Sequence, residues 1–239
     1  MTDLHVVVLA AGQGTRMKSA LPKVLHPIAG RAMVERVLKT SASLDPATTT
    51  LIVGHQAAVV RERLATGYPF LQFAVQEPQR GTAHALQQAE AALKGRTGTL
   101  VLLSGDVPLL SANTLRSLIE THRAANAAAT VVTAVVDRPY GYGRIVRKEG
   151  RIARIVEERD ASPTERQLHE INSGIYAFDL EPLFEALRSI ASHNAQGEYY
   201  LTDLVGIYRR RKLPVETLTV DNPQEIRGIN GRSELAEVS

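Results

Sequence analysis

Residues Val6–Leu25, VVVLAAGQGTRMKSALPKVL, decide how the rest of this 239-residue chain is read. A short apolar run stops at Gly12, a second glycine follows at Gly14, and two cations, Arg16 and Lys23, come close behind. Glycine lets a backbone take φ > 0 and leaves room for a ligand to approach the amides. Successive exposed N–H groups form an anion-binding nest, and an arginine fork and a lysine point charge can reach the same anion. A bare Gly-x-Gly is more often a plain turn; the added Arg16 and the Pro22-Lys23 pair favour phosphate. Two common phosphate motifs do not fit. The dinucleotide fingerprint requires a third glycine where Met17 stands, and the P-loop requires Gly-Lys-Ser/Thr directly before a helix, whereas Ser19–Pro22 intervenes here. Pro22 also prevents a helix from running through to Lys23, so the loop is expected to be long and irregular.

Outward from this loop, apolar β-branched runs alternate with helical patterns. Leu4–Ala10 reads as a buried strand and Ala32–Leu44 as a helix. The alternation repeats in Thr48–Gly54 and Gln56–Ala65, in Leu71–Gln76 and Thr82–Lys94, and in Gly98–Asp106 and Ser111–Ala125. Strands nearly continuous in Val, Leu and Ile, each followed by a helix, predict an α/β fold with a parallel sheet covered on both faces. In such folds ligands bind beyond the carboxyl ends of the strands. The second half is less regular. Arg144–Arg159 alternates around a Lys-Glu-Gly turn and reads as a hairpin. Ser173–Asp179 reads as a strand, Tyr199–Arg211 as a helix and Leu213–Val220 as a last strand. The hairpin region is expected to form a substrate-binding lobe on the sheet. No linker, low-complexity tract or short internal repeat interrupts the chain.

Hydrophobic residues make up 44% and charged residues 22%, the balance of a soluble globular domain. The run Val6–Ala11 is too short to cross a bilayer, and Met-Thr-Asp lacks the features of a signal peptide, so a cytoplasmic protein with no membrane partner is expected. The absence of cysteine excludes disulfides, thiolate nucleophiles and zinc–sulfur sites. The seven histidines never fall at metal-ligand spacing, and no Gly-x-Ser-x-Gly elbow exists. The net charge is only +3 with signs interspersed. The dense run Arg209–Lys212 closes a helical pattern, where cations suit the helix dipole. No nucleic-acid partner is therefore expected.

Four further positions stand out. Asp106 ends a buried strand in LLSGD. It is good turn chemistry and also a candidate Mg²⁺ ligand, since Mg²⁺ takes one or two protein carboxylates plus substrate phosphates and waters. Gln76 closes another strand with a carboxamide that offers donor and acceptor together, the pattern that reads a pyrimidine edge. Gly81 and Thr82 open the next helix, with Thr82 as its expected N-cap. His84, on that helix, is expected to pack or to make a surface bond.

LAAGQGTRM followed by LPKVLHPIAGRAM resembles the signature of sugar-nucleotide pyrophosphorylases, in the version carried by bacterial UDP-N-acetylglucosamine pyrophosphorylases. EPQRGTAHA, LSGDVPL, YGYGRIVR, IVEERDA, EINSGIY, NAQGEYYLTD and GINGR match in order, so the likeness runs from Leu9 to Arg232. The resemblance implies a Rossmann-like nucleotidyltransferase fold, a mostly parallel sheet with helices on both faces and a smaller β-rich sugar-binding lobe. It implies Arg16, Lys23 and Asp106 as catalytic groups. It implies a nucleotide site built from Leu9, Ala10, Ala11, Gly12, Gly14, Gln76, Gly81, Thr82, Ser104 and Gly105, with Gln76 on uracil. It assigns Gly143, Glu157 and Asn172 to the sugar, and Asn230 to the metal beside Asp106. From the residues alone, Gly143, Glu157 and Asn172 read as a hairpin entry, a strand edge and a turn, and Asn230 equally as a turn residue or cap.

The implied reaction is Mg²⁺-dependent uridylyl transfer from UTP to N-acetylglucosamine 1-phosphate, giving UDP-N-acetylglucosamine and pyrophosphate for cell-envelope precursors. Two alternatives stay open. One is a glucose-1-phosphate uridylyl- or thymidylyltransferase, whose loop between arginine and lysine is usually longer and richer in proline than MKSALP. The other is a non-catalytic sugar-nucleotide sensor on the same fold. The transferase domain is expected over residues 1–232, with 233–239 a tail beginning a linker helix. The bacterial enzymes it resembles continue into a β-helix of hexapeptide repeats that acetylates glucosamine 1-phosphate and trimerises. No such repeats occur here, so no acetyltransferase activity is expected, and an oligomer is left open.

Overall fold

A computed structural model describes residues 3–237. Its centre is a nine-stranded sheet. The first strand, β1 (Leu4–Ala10), turns Val6 and Val8 to one face and Val7 to the other, all fully buried. A strand apolar on both sides is stable only where helices cover both faces of the sheet. After the glycine loop, β2 (Pro27–Ile28) and β3 (Arg31–Ala32) form a small antiparallel ladder that leads into α1 (Met33–Ala42). There follow β4 (Thr48–Val53), α2 (Ala57–Ala65), β5 (Gln72–Val75), α3 (Thr82–Gln87), β6 (Thr99–Ser104), α4 (Ala112–Ala124) and β7 (Ala129–Val135). The second half supplies the hairpin β8 (Arg144–Lys148) and β9 (Arg151–Val156), the single turn α5 (Pro163–Arg166) and β10 (Glu170–Asp179). It ends with α6 (Leu180–Arg188), α7 (Asp203–Arg210), β11 (Val215–Thr219) and α8 (Arg232–Glu237).

The main sheet has the order β11-β7-β10-β6-β1-β4-β5. β1 pairs in parallel with β4 and β6, β4 with β5, and β11 with β7. β10 runs antiparallel between β6 and β7. The hairpin joins this sheet through the pairing of Arg144 with Ile171. Helices α1, α2 and α4 bury their apolar stripes against one face, and α3, α6 and α7 against the other. The mostly parallel α/β architecture expected from the sequence is the one observed. The chain winds outward from β1 to β4 and β5, then returns across β1 to β6. Strand order thus reverses between β1 and β6, and the crevice beyond their carboxyl ends is the place where open α/β sheets bind ligands. Among the described residues no helix is long and apolar enough to cross a membrane.

Several local expectations are corrected. The helix expected over Thr82–Lys94 is α-helical only to Gln87. Beyond it the backbone tightens to i→i+3 bonds, Gln88 N to Ala85 O, Ala89 N to Leu86 O and Glu90 N to Gln87 O, and turns carry Ala89 and Leu93 into the core. Thr82 is not the N-cap; Gly81 holds that place at φ 102°, and the Thr82 hydroxyl instead accepts from Leu201 N at 3.1 Å. The helix expected from Tyr199 begins at Asp203, because Tyr199 N and O are committed to Arg80 O and Ala83 N across the start of α3. The strand expected from Ser173 starts earlier, at Glu170, with a register break between Asn172 and Tyr176. The sequence pattern predicts no element over β7 or α6. The alanines that lead into β7 carry little strand signal, although the strand is buried up to Ala134.

His122 of α4 is 3% exposed, and its Nδ1 lies 3.1 Å from Thr130 Oγ1 on β7. Burial lowers its pKa to about 4, so the unfolded chain protonates this ring first as pH falls below about 6.5. The stability present above that pH is lost on the way down to the folded pKa. His122→Asn keeps a polar atom beside Thr130 and removes the titration. Between about pH 7 and pH 4.5 it is expected to lose about 1–3 kcal/mol less stability than the wild type in urea unfolding; parallel pH profiles would contradict this.

Candidate functional site

Beyond the carboxyl end of β1 the chain leaves the sheet as an open loop. None of the backbone N–H groups from Gly12 to Arg16 donates to another described residue, which leaves a run of donors free for an anion. Two 3₁₀ turns, Thr15–Met17 and Lys23–Leu25, shape the loop. Met17 is 1% exposed and anchors the first turn; Val24 and Leu25 are buried and anchor the second. Arg232 donates to the carbonyls of Met17 and Lys18, each at 2.9 Å. Of the two glycines expected to need positive φ, only Gly14 does, at 61°. A Cβ there would stand 2.6 Å from Lys23 Cβ, so Gly14 is what lets the lysine pack against the loop. Gly12 has open space at its Cβ position.

Lys23 Nζ donates to Asp106 Oδ2 and, at 3.2 Å, to Asn230 Oδ1. The side chains of the ion pair are 14% and 18% exposed, and removal from water makes such a pair stronger than a surface one. Asp106 lies in the turn after β6. That turn is held from one side by Gly105 N on Leu9 O and from the other by Ile229 N on Asp106 O, both at 2.9 Å. Ile229 is fully buried with Ile28 and Met33. Glu234 of α8 accepts from Asn230 N at 2.5 Å and Gly231 N at 2.9 Å, so the helix crossing the expected boundary at residue 232 fixes the backbone of Asn230.

A cleft of about 490 Å³ opens beside this cluster. Leu9, Ala10, Ala11, Gly12, Lys23, Gln76, Gly81, Thr82, Ser104 and Asp106, all singled out in the sequence, line it. Gly14, Gly105 and Asn230 stand behind it in contact with Lys23 and Leu9. Arg16 does not line it and is exposed on the first 3₁₀ turn. Gln13, Val24, Gln79, Ala85 and Glu198 complete the lining and were not singled out. Gln79 and Glu198 sit inside EPQRGTAHA and NAQGEYYLTD, so the ordered motifs carried the signal for them. Gly81 is forced to be glycine, because a Cβ would stand 2.6 Å from Tyr199 O. Gln76 is 3% exposed, and its Nε2 lies 2.9 Å from Gly81 O and 3.2 Å from His84 Nδ1. His84 therefore contacts a cleft residue, where packing or a surface bond was expected.

Gly143, Glu157 and Asn172 form an adjoining group. Asn172 N donates to Gly143 O at 2.9 Å. The Tyr176 phenol bonds the Asn172 side chain and lies within electrostatic reach of Glu157; burial first, then Glu157, raises the phenol pKa. Between Asn172 and Tyr176 the bulge brings Gly174 to Ser104, whose Oγ lies 3.9 Å from the glycine's Cβ position. Glu157 accepts from Thr202 Oγ1 at 2.9 Å and borders a second cavity of about 460 Å³ with Asp160, Tyr200 and Asp203. Burial raises the Glu157 pKa, with Thr202 opposing and Asp203, Asp160 and Glu198 reinforcing.

Residues 6–197 match the MobA-like NTP transferase domain. The chain is 50% identical over 238 residues to a bifunctional protein GlmU of Brevibacillus brevis, covering 99% of this chain and 51% of that protein. It is 48% identical over 238 residues to a bifunctional protein GlmU of Geobacter metallireducens, covering 99% and 50%. The chain spans about half the length of these curated relatives. A solved UDP-glucose pyrophosphorylase complexed with UDP-glucose matches with a TM-score of 0.77 at 16% identity, over 100% of this chain and 97% of the other, a likeness of fold.

The two loop glycines predict opposite outcomes. Gly14→Ala combines a left-handed φ with a backbone-proximal clash and is expected to cost about 1–3 kcal/mol in urea unfolding. Gly12→Ala meets nothing within 4 Å and is expected to stay within about 0.5 kcal/mol of wild type; equal effects would contradict the role given to the lysine contact.

Proposed function

We propose a reaction from one premise: the chain belongs to the MobA-like NTP transferase domain family. The reaction is uridylyl transfer from UTP to N-acetylglucosamine 1-phosphate, releasing pyrophosphate and forming UDP-N-acetylglucosamine. One observation carries it: Lys23, Asp106 and Asn230 converge at the mouth of a loop whose amides are free. The ordered motifs that resemble UDP-N-acetylglucosamine pyrophosphorylases favour uridine and the N-acetylated sugar over other members of this fold.

The chemistry asks little of the protein covalently. The attacking group is a phosphate oxygen of the sugar phosphate, whose second pKa is about 6, so near neutral pH it needs no general base. It attacks the α-phosphorus of UTP, the bond from that phosphorus to the bridging oxygen breaks, and pyrophosphate leaves with the electron pair. The protein must hold two polyanions in line and offset the charge that builds on the leaving group. In this reading the amides of Gly12 to Arg16 cradle the triphosphate, Lys23 neutralises the departing pyrophosphate, and the exposed Arg16 closes on it from the loop. Gln76 and the Gly81-Thr82 backbone receive uracil; Gly143, Glu157 and Asn172 receive the sugar, with the half-buried carboxylate of Glu157 accepting hydroxyl protons.

A divalent cation fits the same place. Asp106 and Asn230 present two hard oxygen donors, and both already converge on one cation, the Lys23 ammonium. One carboxylate and one carboxamide oxygen suit Mg²⁺, an ion that takes few protein ligands and completes its shell with phosphates and water. When bound, the ion would neutralise phosphate charge during transfer.

The test is pyrophosphate release with purified protein. UTP with N-acetylglucosamine 1-phosphate is expected to be the best pair, above TTP or glucose 1-phosphate, with turnover abolished by chelation and restored by Mg²⁺. Lys23→Ala and Asp106→Ala are each expected to lose about 10²–10³ in rate. Near-normal turnover in either variant, or UDP-sugar binding without any pyrophosphate exchange in the wild type, would refute the assignment.

A further inference from the structure

We infer that His84 is a positioning residue: it fixes the rotation of the Gln76 carboxamide so that only an acceptor oxygen faces the nucleotide base. This rests on the reading of the cleft as a nucleotide site. Gln76 is nine-tenths buried or more and lines the cleft. Its Nε2 carries two hydrogens, and two protein acceptors take them: Gly81 O at 2.9 Å and His84 Nδ1 at 3.2 Å. The carbonyl of Gly81 can only accept, so the amide cannot be turned over without setting two oxygens against each other at that distance. No described group donates to Oε1.

The histidine supplies the second constraint. With Gly81 alone, the amide could rotate and aim its spare N–H into the cleft. With Nδ1 accepting that hydrogen, both donors are spent and the carboxamide behaves as a pure acceptor. The ring must be neutral, with its proton on Nε2, for Nδ1 to accept. Burial, aided by the nearby Arg80, lowers the His84 pKa and favours that state. The Gly81 carbonyl is itself held at the start of α3, where it also accepts from Ala85 N at 3.1 Å.

A fixed acceptor selects bases by the hydrogen on N3. Uracil and thymine carry N3–H and can donate to Oε1; cytosine has a bare N3 lone pair that opposes it. The device therefore separates UTP from CTP and does not separate UTP from TTP. A site built to bond a donor rejects an analogue lacking it, because a buried polar group is then left unpaired.

Calorimetric binding of UTP and CTP, each with Mg²⁺, to the whole chain tests this without depending on turnover. The wild type is expected to prefer UTP by at least about tenfold. His84→Leu is expected to lose about tenfold of that preference, chiefly through weaker UTP binding. His84→Asn, which returns an acceptor oxygen near the Nδ1 position, is expected to keep most of it. A wild-type preference retained in His84→Leu, or no preference in the wild type, would overturn the inference. Nitrogen-15 NMR of the wild type gives a variant-free check: His84 Nδ1 must be unprotonated near neutral pH, and a proton there would also overturn it. A wild type that shows the UTP preference and no pyrophosphate release would remove the proposed reaction and leave the role of His84 standing.

Discussion

The lysine ammonium held between Asp106 and Asn230 is the contact on which the rest of the site depends. Its partners lie 83 and 207 residues away along the chain, so it exists only when the glycine loop, the turn after β6 and the C-terminal segment are all in place. A partly buried charge is costly unless it is paired, and the surrounding features serve that pairing. Gly14 leaves room for the lysine, buried Met17 and Val24 anchor the loop, Ile229 ties its segment to the aspartate turn, and Arg232 grips the loop carbonyls. In the proposed reading, a bound triphosphate would compete with the carboxylate for the ammonium, and a metal ion would compete with the ammonium for the oxygens.

The fold divides the work along the sheet. Parallel strands β1, β4, β5 and β6 deliver the loop, Gln76 and Asp106 to one edge by the reversal of strand order between β1 and β6. Antiparallel β10 brings in the second half of the chain. Its bulge faces Ser104 while its neighbour, the β8–β9 hairpin, places Gly143 and Glu157 alongside. The proposed nucleotide and sugar sides are therefore built by elements of opposite direction that meet across β6. Such an arrangement suits a reaction in which positioning and charge neutralisation supply most of the rate.

Much of this was legible in the sequence, and the rest was hidden for physical reasons. Two-faced burial of the valines in β1 and the run Leu100–Leu103 in β6 marked the parallel core. Pro22 marked the break before Lys23, which the structure resolves as a short 3₁₀ turn. Local patterns could not reveal that Thr82 would spend its hydroxyl on Leu201, since that partner is 119 residues away. Nor could apolar spacing tell α3 from the turns that follow it, because α3 buries Leu86 and the turns bury Ala89 and Leu93 in the same core. Gly12 and Gly14 looked alike as letters and differ in the chain: one needs its positive φ, the other keeps space open. The contact of His84 with Gln76 spans eight residues across a strand end and a helix start, and it emerges only once Gly81 has turned the chain.

The central claim is that the loop amides, Lys23, Asp106 and Asn230 form one receptor for a metal-bound triphosphate. A crystal structure of the chain with UTP and Mg²⁺ tests it most directly. The account places the triphosphate against the amides of Gly12 to Arg16 with Lys23 on its outer phosphates and the metal on Asp106 and Asn230. A well-ordered nucleotide whose phosphates lie away from that loop, or a metal held by other side chains, would contradict it.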